Sequence, residues 1–168
     1  MLRRFIVKPK NAEIEVLEGN IYEFCDEYPL CIIQTSTGWP WEKGAFRGKL
    51  TRPFQFPEDY VKGKITTLKF LSKAWFEWAT GFWAKLKVTI YAVYDWGEEP
   101  ITTIEKTHFT SDWEPSEYPL NMDIPDGAKG LNIEIFLDSD TVTGASHCAI
   151  AQLELHGEYV SSKPPRYY

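Results

Sequence analysis

The chain has little of what reactive sites are usually built from. Its 168 residues include three cysteines, Cys25, Cys31 and Cys148, with no C-x-x-C pair, and three histidines, His108, His147 and His156, with no H-E-x-x-H or His-x-His spacing. Zinc centres draw on such spacings, so neither a zinc site nor any other cofactor is expected, and the thiols read as small buried hydrophobes. A Cys25–Cys31 bridge is possible but not required for a chain of this length. G-x-S-x-G, Walker and G-x-G-x-x-G patterns are also missing, which removes the common hydrolase, nucleotide and dinucleotide signatures. No apolar stretch is long enough for a membrane span or forms a secretory h-region, so cytosolic synthesis without a signal peptide is expected. A basic surplus is lacking as well. The net charge is −6, which argues against a general nucleic-acid binder, because neutralising phosphates needs a positive surface. There is no internal repeat and no low-complexity linker.

Alternation is what the chain has in quantity. Lys85–Ala92 (KLKVTIYA), Tyr118–Ile124 (YPLNMDI), Leu131–Asp138 (LNIEIFLD) and Ile150–His156 (IAQLELH) each place apolar side chains on every second residue. That is the pattern of strands with one face on a core. Turn signals recur between them, among them Asp95–Pro100 and Asp126-Gly127. Ala74–Trp83 (AWFEWATGFW) permits either helix or strand, and its aromatics and Gly81 favour strand. The expected fold is an all-β antiparallel sandwich over residues 13–160. A basic N-terminal arm (1–12) and a proline-bearing tail (161–168) flank it. The predicted core comprises Leu86, Val88, Ile90, Ala92, Leu120, Met122, Ile124, Leu131, Ile133, Ile135, Leu137, Ala151, Leu153 and Leu155. Lys87, Thr89, Tyr91, Asn132, Glu134, Phe136, Gln152, Glu154 and His156 fall on the opposite faces.

The order of features KITTLKFL, AKLKVTIYAVY, HFTSDW, YPLNMDIPDGAKGLNIEIFLD and IAQLELHGEY resembles the galactose-binding-like jelly roll of carbohydrate-binding modules, over roughly residues 13–159. Phage tail and capsid-decorating proteins are similar to this family too. The resemblance implies a jelly roll without catalytic machinery. It also adds weight to calcium at Asp138, Ser139, Asp140 and Thr141, although the EF-hand pattern is absent and a solvated turn is the expected reading.

Function then falls to aromatic display and charge asymmetry. Twenty-six aromatic residues exceed what one small core needs. Trp39, Trp41 and Trp96 lie in loops, and Tyr91 and Phe136 stand among polar groups on outward faces, so these five are the candidate ligand- or partner-binding residues. Trp96 and Trp113 also suit a role as plugs at the sandwich ends. Arg3, Arg4, Lys8 and Lys10 make the first segment basic against an acidic body; it would pair as an edge strand or lie on a neighbouring subunit. The first expectation is a non-enzymatic virion subunit that binds other protein subunits, as a homo-oligomer. The alternative is a carbohydrate-binding module that stacks a polysaccharide on its exposed rings. Neither nucleic acid nor membrane is an expected partner.

Overall fold

The computed structural model describes residues 1–19, 22–37, 44–80 and 82–164. Twelve strands form two antiparallel sheets: β1 (Leu2–Val7), β2 (Ile14–Glu18), β3 (Tyr22–Phe24), β4 (Cys31–Thr37), β5 (Phe46–Leu50), β6 (Phe54–Gln55), β7 (Tyr60–Thr80), β8 (Trp83–Tyr94), β9 (Gly97–Lys106), β10 (Glu114–Asp123), β11 (Gly130–Asp140) and β12 (Thr143–Ser161). Sheet one has the order β10-β7-β12-β4-β3, with β1 added along β12. Sheet two has the order β2-β5-β11-β8-β9, with β6 added along β11. Every pairing is antiparallel, and the two sheets pack face to face as a jelly-roll sandwich. Residues 74–80 belong to β7 in sheet one and Trp83 opens β8 in sheet two, so the strand reading holds for the described residues of that segment.

Alternation explains the core of sheet two in full. Leu86, Val88, Ile90 and Ala92 on β8 face Leu131, Ile133, Ile135 and Leu137 on β11, and all eight are buried. From sheet one come Ile32, Ile65, Leu68, Phe70, Ile150, Leu153 and Leu155. Each such side chain removed from water stabilises the fold by about 1.5–3 kcal/mol before entropy is counted.

Sheet one departs from strict alternation at several register shifts along β7, and two of them move expected core residues. On β10 the register shifts between Pro119 and Met122 around Asn121, whose φ is +48°. Met122 is 37% exposed and Leu120 only half-buried. On β12 it shifts between Ala151 and Glu154 around Gln152, also at φ +48°. An extra residue reverses the phase of the strand. Ala151 therefore faces away from the sandwich core while Leu153 and Leu155 point into it.

Residues 2–7 take the edge-strand option as β1, paired with Val160–Leu155 of β12. Gly157 makes this close fit possible, since a Cβ there would lie 2.1 Å from the Phe5 ring. Asp59 ties both ends of the chain together. Its carboxylate accepts hydrogen bonds from Ser161 and Tyr159 and lies 3.6 Å from the Arg3 guanidinium. Arg4 and Lys10 are exposed, and Lys8 lies 4.0 Å from Glu154.

Cys25 and Cys31 form a disulfide, which corrects the expectation of three free thiols. Pairing of β3 with β4 brings the two residues together, with the Cys25 N–H donating to the Cys31 carbonyl at 3.0 Å. Cys148 remains a buried thiol, pointing between the sheets toward the Lys85 carbonyl, and burial pushes its pKa well up.

Candidate functional site

The outward face of sheet two gathers Tyr91 and Phe136, both nominated by the sequence, within one network. Tyr91 on β8 stands opposite Asn132 on β11, and Phe136 stands opposite Lys87 one row of four residues further along. The two rings are therefore separated by about 13 Å along the strands. Glu134 lies between them, buried although it points outward, and it accepts from the Tyr91 hydroxyl at 2.7 Å and the Arg47 guanidinium at 2.6 Å. Arg47 also reaches Glu18 at 3.4 Å and sits 5.2 Å above the Phe136 ring, with the Lys87 ammonium 5.8 Å from the same ring. On the other side of Tyr91, Glu98 accepts from Lys49 and, at 2.9 Å, from Asn132, while the Lys49 ammonium lies 4.1 Å from the Tyr91 ring centre. Thr89 and Thr103 share a 3.0 Å hydrogen bond beside them.

The titration behaviour follows from these contacts. Burial, reinforced by the Glu134 carboxylate, raises the Tyr91 phenol to about 12, so its hydroxyl stays a donor at any physiological pH. Burial opposes the charge on Glu98, but the bonds from Lys49 and Asn132 outweigh it and hold the carboxyl below its ordinary range. The hydrogen bond to Glu134 likewise holds the Arg47 cation firmly charged. The face thus carries fixed donors and acceptors around two rings, with each cation matched by a carboxylate: Arg47 with Glu134 and Glu18, Lys49 with Glu98, and Lys85 and Lys87 with Glu105. A surface of this kind suits a ligand that offers both apolar C–H faces and hydroxyls.

Three comparisons with known proteins bear on the fold. No family model matches the chain, and no curated protein matches it in sequence. Among solved structures, a family 29 carbohydrate-binding module from Piromyces equi matches with a TM-score of 0.41 and 12% identity, covering 92% of this chain and 90% of that one. TmCBM61, solved in complex with beta-1,4-galactotriose, matches with a TM-score of 0.41 and 13% identity, over 90% and 86%. The enzymatically active domain of bacteriophage CBA120 tailspike protein 4 matches with a TM-score of 0.44 and 14% identity; the similarity covers 91% of this chain but only 19% of the tailspike chain. The chain is similar to carbohydrate-binding modules. A phage tailspike domain stands beside them, so both groups in the sequence resemblance appear among the matches.

The other nominated residues lie elsewhere. Trp96 is 69% exposed at the β8–β9 turn, its ring stacked on Tyr94 at 4.9 Å and 7°, so it does not plug the sandwich. Trp113 is half-buried on the outward face of sheet one rather than at an end. It donates to Glu27 at 2.9 Å, meets Tyr28 edge-on and lies 4.5 Å from the Lys73 ammonium. Trp39 and Trp41 fall outside the described residues. Ser139 is buried and donates to Gln34, while Asp140 caps the Thr141 N–H at 2.8 Å. Among the described residues no group of three His, Cys, Asp or Glu side chains has metal-holding geometry.

Sequence reasoning placed Asn132, Glu134 and Lys87 on the outward face but did not single them out, and it missed Arg47, Lys49 and Glu98 as site residues. The strand alternation carries the signal for the first three. The others come from β5 and β9, and nothing local in the sequence says that β5 pairs with β11 or β9 with β8.

Proposed function

We propose that this chain is a non-catalytic module that binds a carbohydrate on the outward face of sheet two. The observation that carries the reading is the placement of Tyr91 and Phe136 on one sheet face beside Arg47, Lys49, Lys85 and Lys87, each of which is paired with a carboxylate. The C–H faces of sugar rings stack on aromatic side chains, and Arg47, Asn132 and Glu134 offer fixed partners for hydroxyls. Glu134 in particular is locked by Tyr91 and Arg47, so little side-chain order is lost on binding. The Cys25–Cys31 bridge fits a module that works in an oxidising compartment.

Affinity electrophoresis against soluble polysaccharides, with light scattering on the same samples, tests the reading. A particle of monomer mass that is retarded by a polysaccharide, and released by Tyr91→Ala or Phe136→Ala, is the expected result. A large homo-oligomer that ignores every glycan would replace it with the virion-subunit reading.

A further inference from the structure

The two sheets end in strands that are blunted, with one exception. In sheet one, β10 carries Pro115, Pro119 and a register shift, and β3 has only three residues. In sheet two, β9 carries Pro100 and a register shift, β2 shifts between Val16 and Glu18, and β6 has only two residues. Proline removes a backbone donor, and a bulge or a short strand spoils the template that an edge offers to another chain. The exception is β1, six residues without proline in unbroken register from Leu2↔Val160 to Val7↔Leu155. Among the described residues no strand lies along its other edge. The Ser161 N–H donates to the Met1 carbonyl at 2.8 Å, which fixes the phase of the pairing. Arg3, Phe5 and Val7 therefore bond to β12, while Leu2, Arg4 and Ile6 turn their N–H and C=O groups away from it. The side chains of the same three residues are exposed, Leu2 by 62% and Ile6 by 46%, with Arg4 between them. Arg4 stands opposite Glu158 but makes no ion pair with it, and Glu158 also faces Lys64.

We propose that the free edge of β1 takes an extended segment of another protein as an added strand, and that this segment is apolar, acidic and apolar at alternate positions. The backbone groups of Leu2, Arg4 and Ile6 supply the main-chain bonds, and their side chains supply the selection. Residues directly opposite in a ladder share a face, so apolar side chains meet Leu2 and Ile6 while a carboxylate meets Arg4. The pattern reads the same in both chain directions, so antiparallel and parallel docking ask for one composition. A second copy of β1 is a poor occupant, because it brings Arg3, Arg4, Lys8 and Lys10 of one chain against the same four cations of the other. This interaction is independent of the carbohydrate reading, since β1 belongs to sheet one and the glycan face to sheet two.

Fluorescence anisotropy with the labelled peptide TVTETVT, and with TVTKTVT as its cationic control, tests the edge. The acidic peptide should bind the full chain about tenfold more tightly than the cationic one, and Arg4→Glu should invert that order. Ile6→Pro should abolish binding, because it deletes an edge N–H that β12 does not use, and should leave polysaccharide retardation unchanged. Arg4→Glu alters only an exposed side chain, so it keeps the test decisive if the proline variant fails to fold. An acidic peptide that does not bind, or that still binds folded Ile6→Pro, would overturn the added strand. Equal binding of the two peptides would overturn the acidic class. A concentration-dependent dimer in analytical ultracentrifugation that Ile6→Pro disperses would give the edge to a second copy instead. The carbohydrate reading stands or falls separately, on Tyr91→Ala.

Discussion

The two outward faces of the sandwich use aromatic residues in opposite ways. On sheet two, Tyr91 and Phe136 rise from a network of paired charges and Trp83 borders an open cavity, so the rings form part of the surface. Sheet one instead carries a second layer. Between His147 and Gln152 its β12 presents Ala149 and Ala151 outward, and both are completely buried although neither belongs to the sandwich core. Small side chains there leave room for the disulfide-closed segment between β3 and β4, whose Leu30 carbonyl accepts from the Gln152 N–H, and for Trp113, which engages Glu27 and Tyr28 of that segment. Beside it Trp75 stacks on His147 at 4.6 Å, with the Lys73 ammonium 4.8 Å from the Trp75 ring. Exposure of a ring is thus decided by what the neighbouring strands place beside it. Identity alone does not decide it: the half-buried Trp113 and the half-exposed Trp83 are the same residue.

The contrast predicts that removing a ring affects stability on one face and binding on the other. Trp113→Ala should lower the unfolding free energy by about 3 kcal/mol in urea titration, near the lower end for Trp truncation because the indole is only half-buried. Polysaccharide binding by the folded protein should not change. A loss of binding with intact stability would mean that sheet one, not sheet two, carries the site. The bridge that closes the covering layer should matter nearly as much. Cys25→Ser with Cys31→Ser should cost about 2 kcal/mol, the entropy expected for so short a loop. Near-ultraviolet circular dichroism should report the change at Trp113, since the loop holds Glu27 and Tyr28 against it. An unchanged spectrum would show that the covering layer holds without its covalent closure.

The difference between the faces also explains what was legible in the sequence. Inward residues of β8 and β11 follow from alternation alone, and so do Tyr91 and Phe136 as outward rings, because neither strand carries a bulge in its pairing with the other. Alternation misplaces Met122 and Ala151 where Asn121 and Gln152 insert a residue, and an asparagine or glutamine at positive φ has no reliable mark in a single sequence. Glu134 and Glu98 look like ordinary surface acids until Arg47 and Lys49 arrive from β5. The sequence leaves the disulfide open because a six-residue separation is compatible with many geometries, and only the pairing of β3 with β4 selects one.

A smaller change sharpens the role of Glu134. Tyr91→Phe keeps the ring and removes one hydrogen bond to a carboxylate that retains Arg47 as its partner. About 1 kcal/mol of stability should be lost. Affinity for a polysaccharide should fall less than in Tyr91→Ala, because stacking survives and only the locking of Glu134 is relaxed. Equal losses in both variants would assign the binding to the hydroxyl and not to the ring.

The faces should also separate by pH, with the smallest effect of the set. His147 on sheet one hydrogen-bonds Thr35 through Nδ1 at 2.8 Å, stacks on Trp75 and lies 3.9 Å from Glu77. Burial lowers its pKa below the ordinary 6.5, and this outweighs the opposing pull of Glu77 and Glu23. The unfolded chain therefore takes up the proton more readily, so stability begins to fall as pH drops below 6.5 and levels off once the folded form is also protonated. Glu98 on sheet two has its folded pKa depressed below 4.5, and its contribution persists above 4.5 and is lost only as pH falls through that lower value. Between pH 6.5 and 5, urea titrations should show a stability loss that His147→Gln abolishes, while polysaccharide affinity stays level. Affinity should decline only in the carboxylate range below about 4.5, where the Lys49–Glu98 pair breaks. An affinity that tracked the histidine window instead would couple the two faces and end the division between a covered sheet one and a binding sheet two.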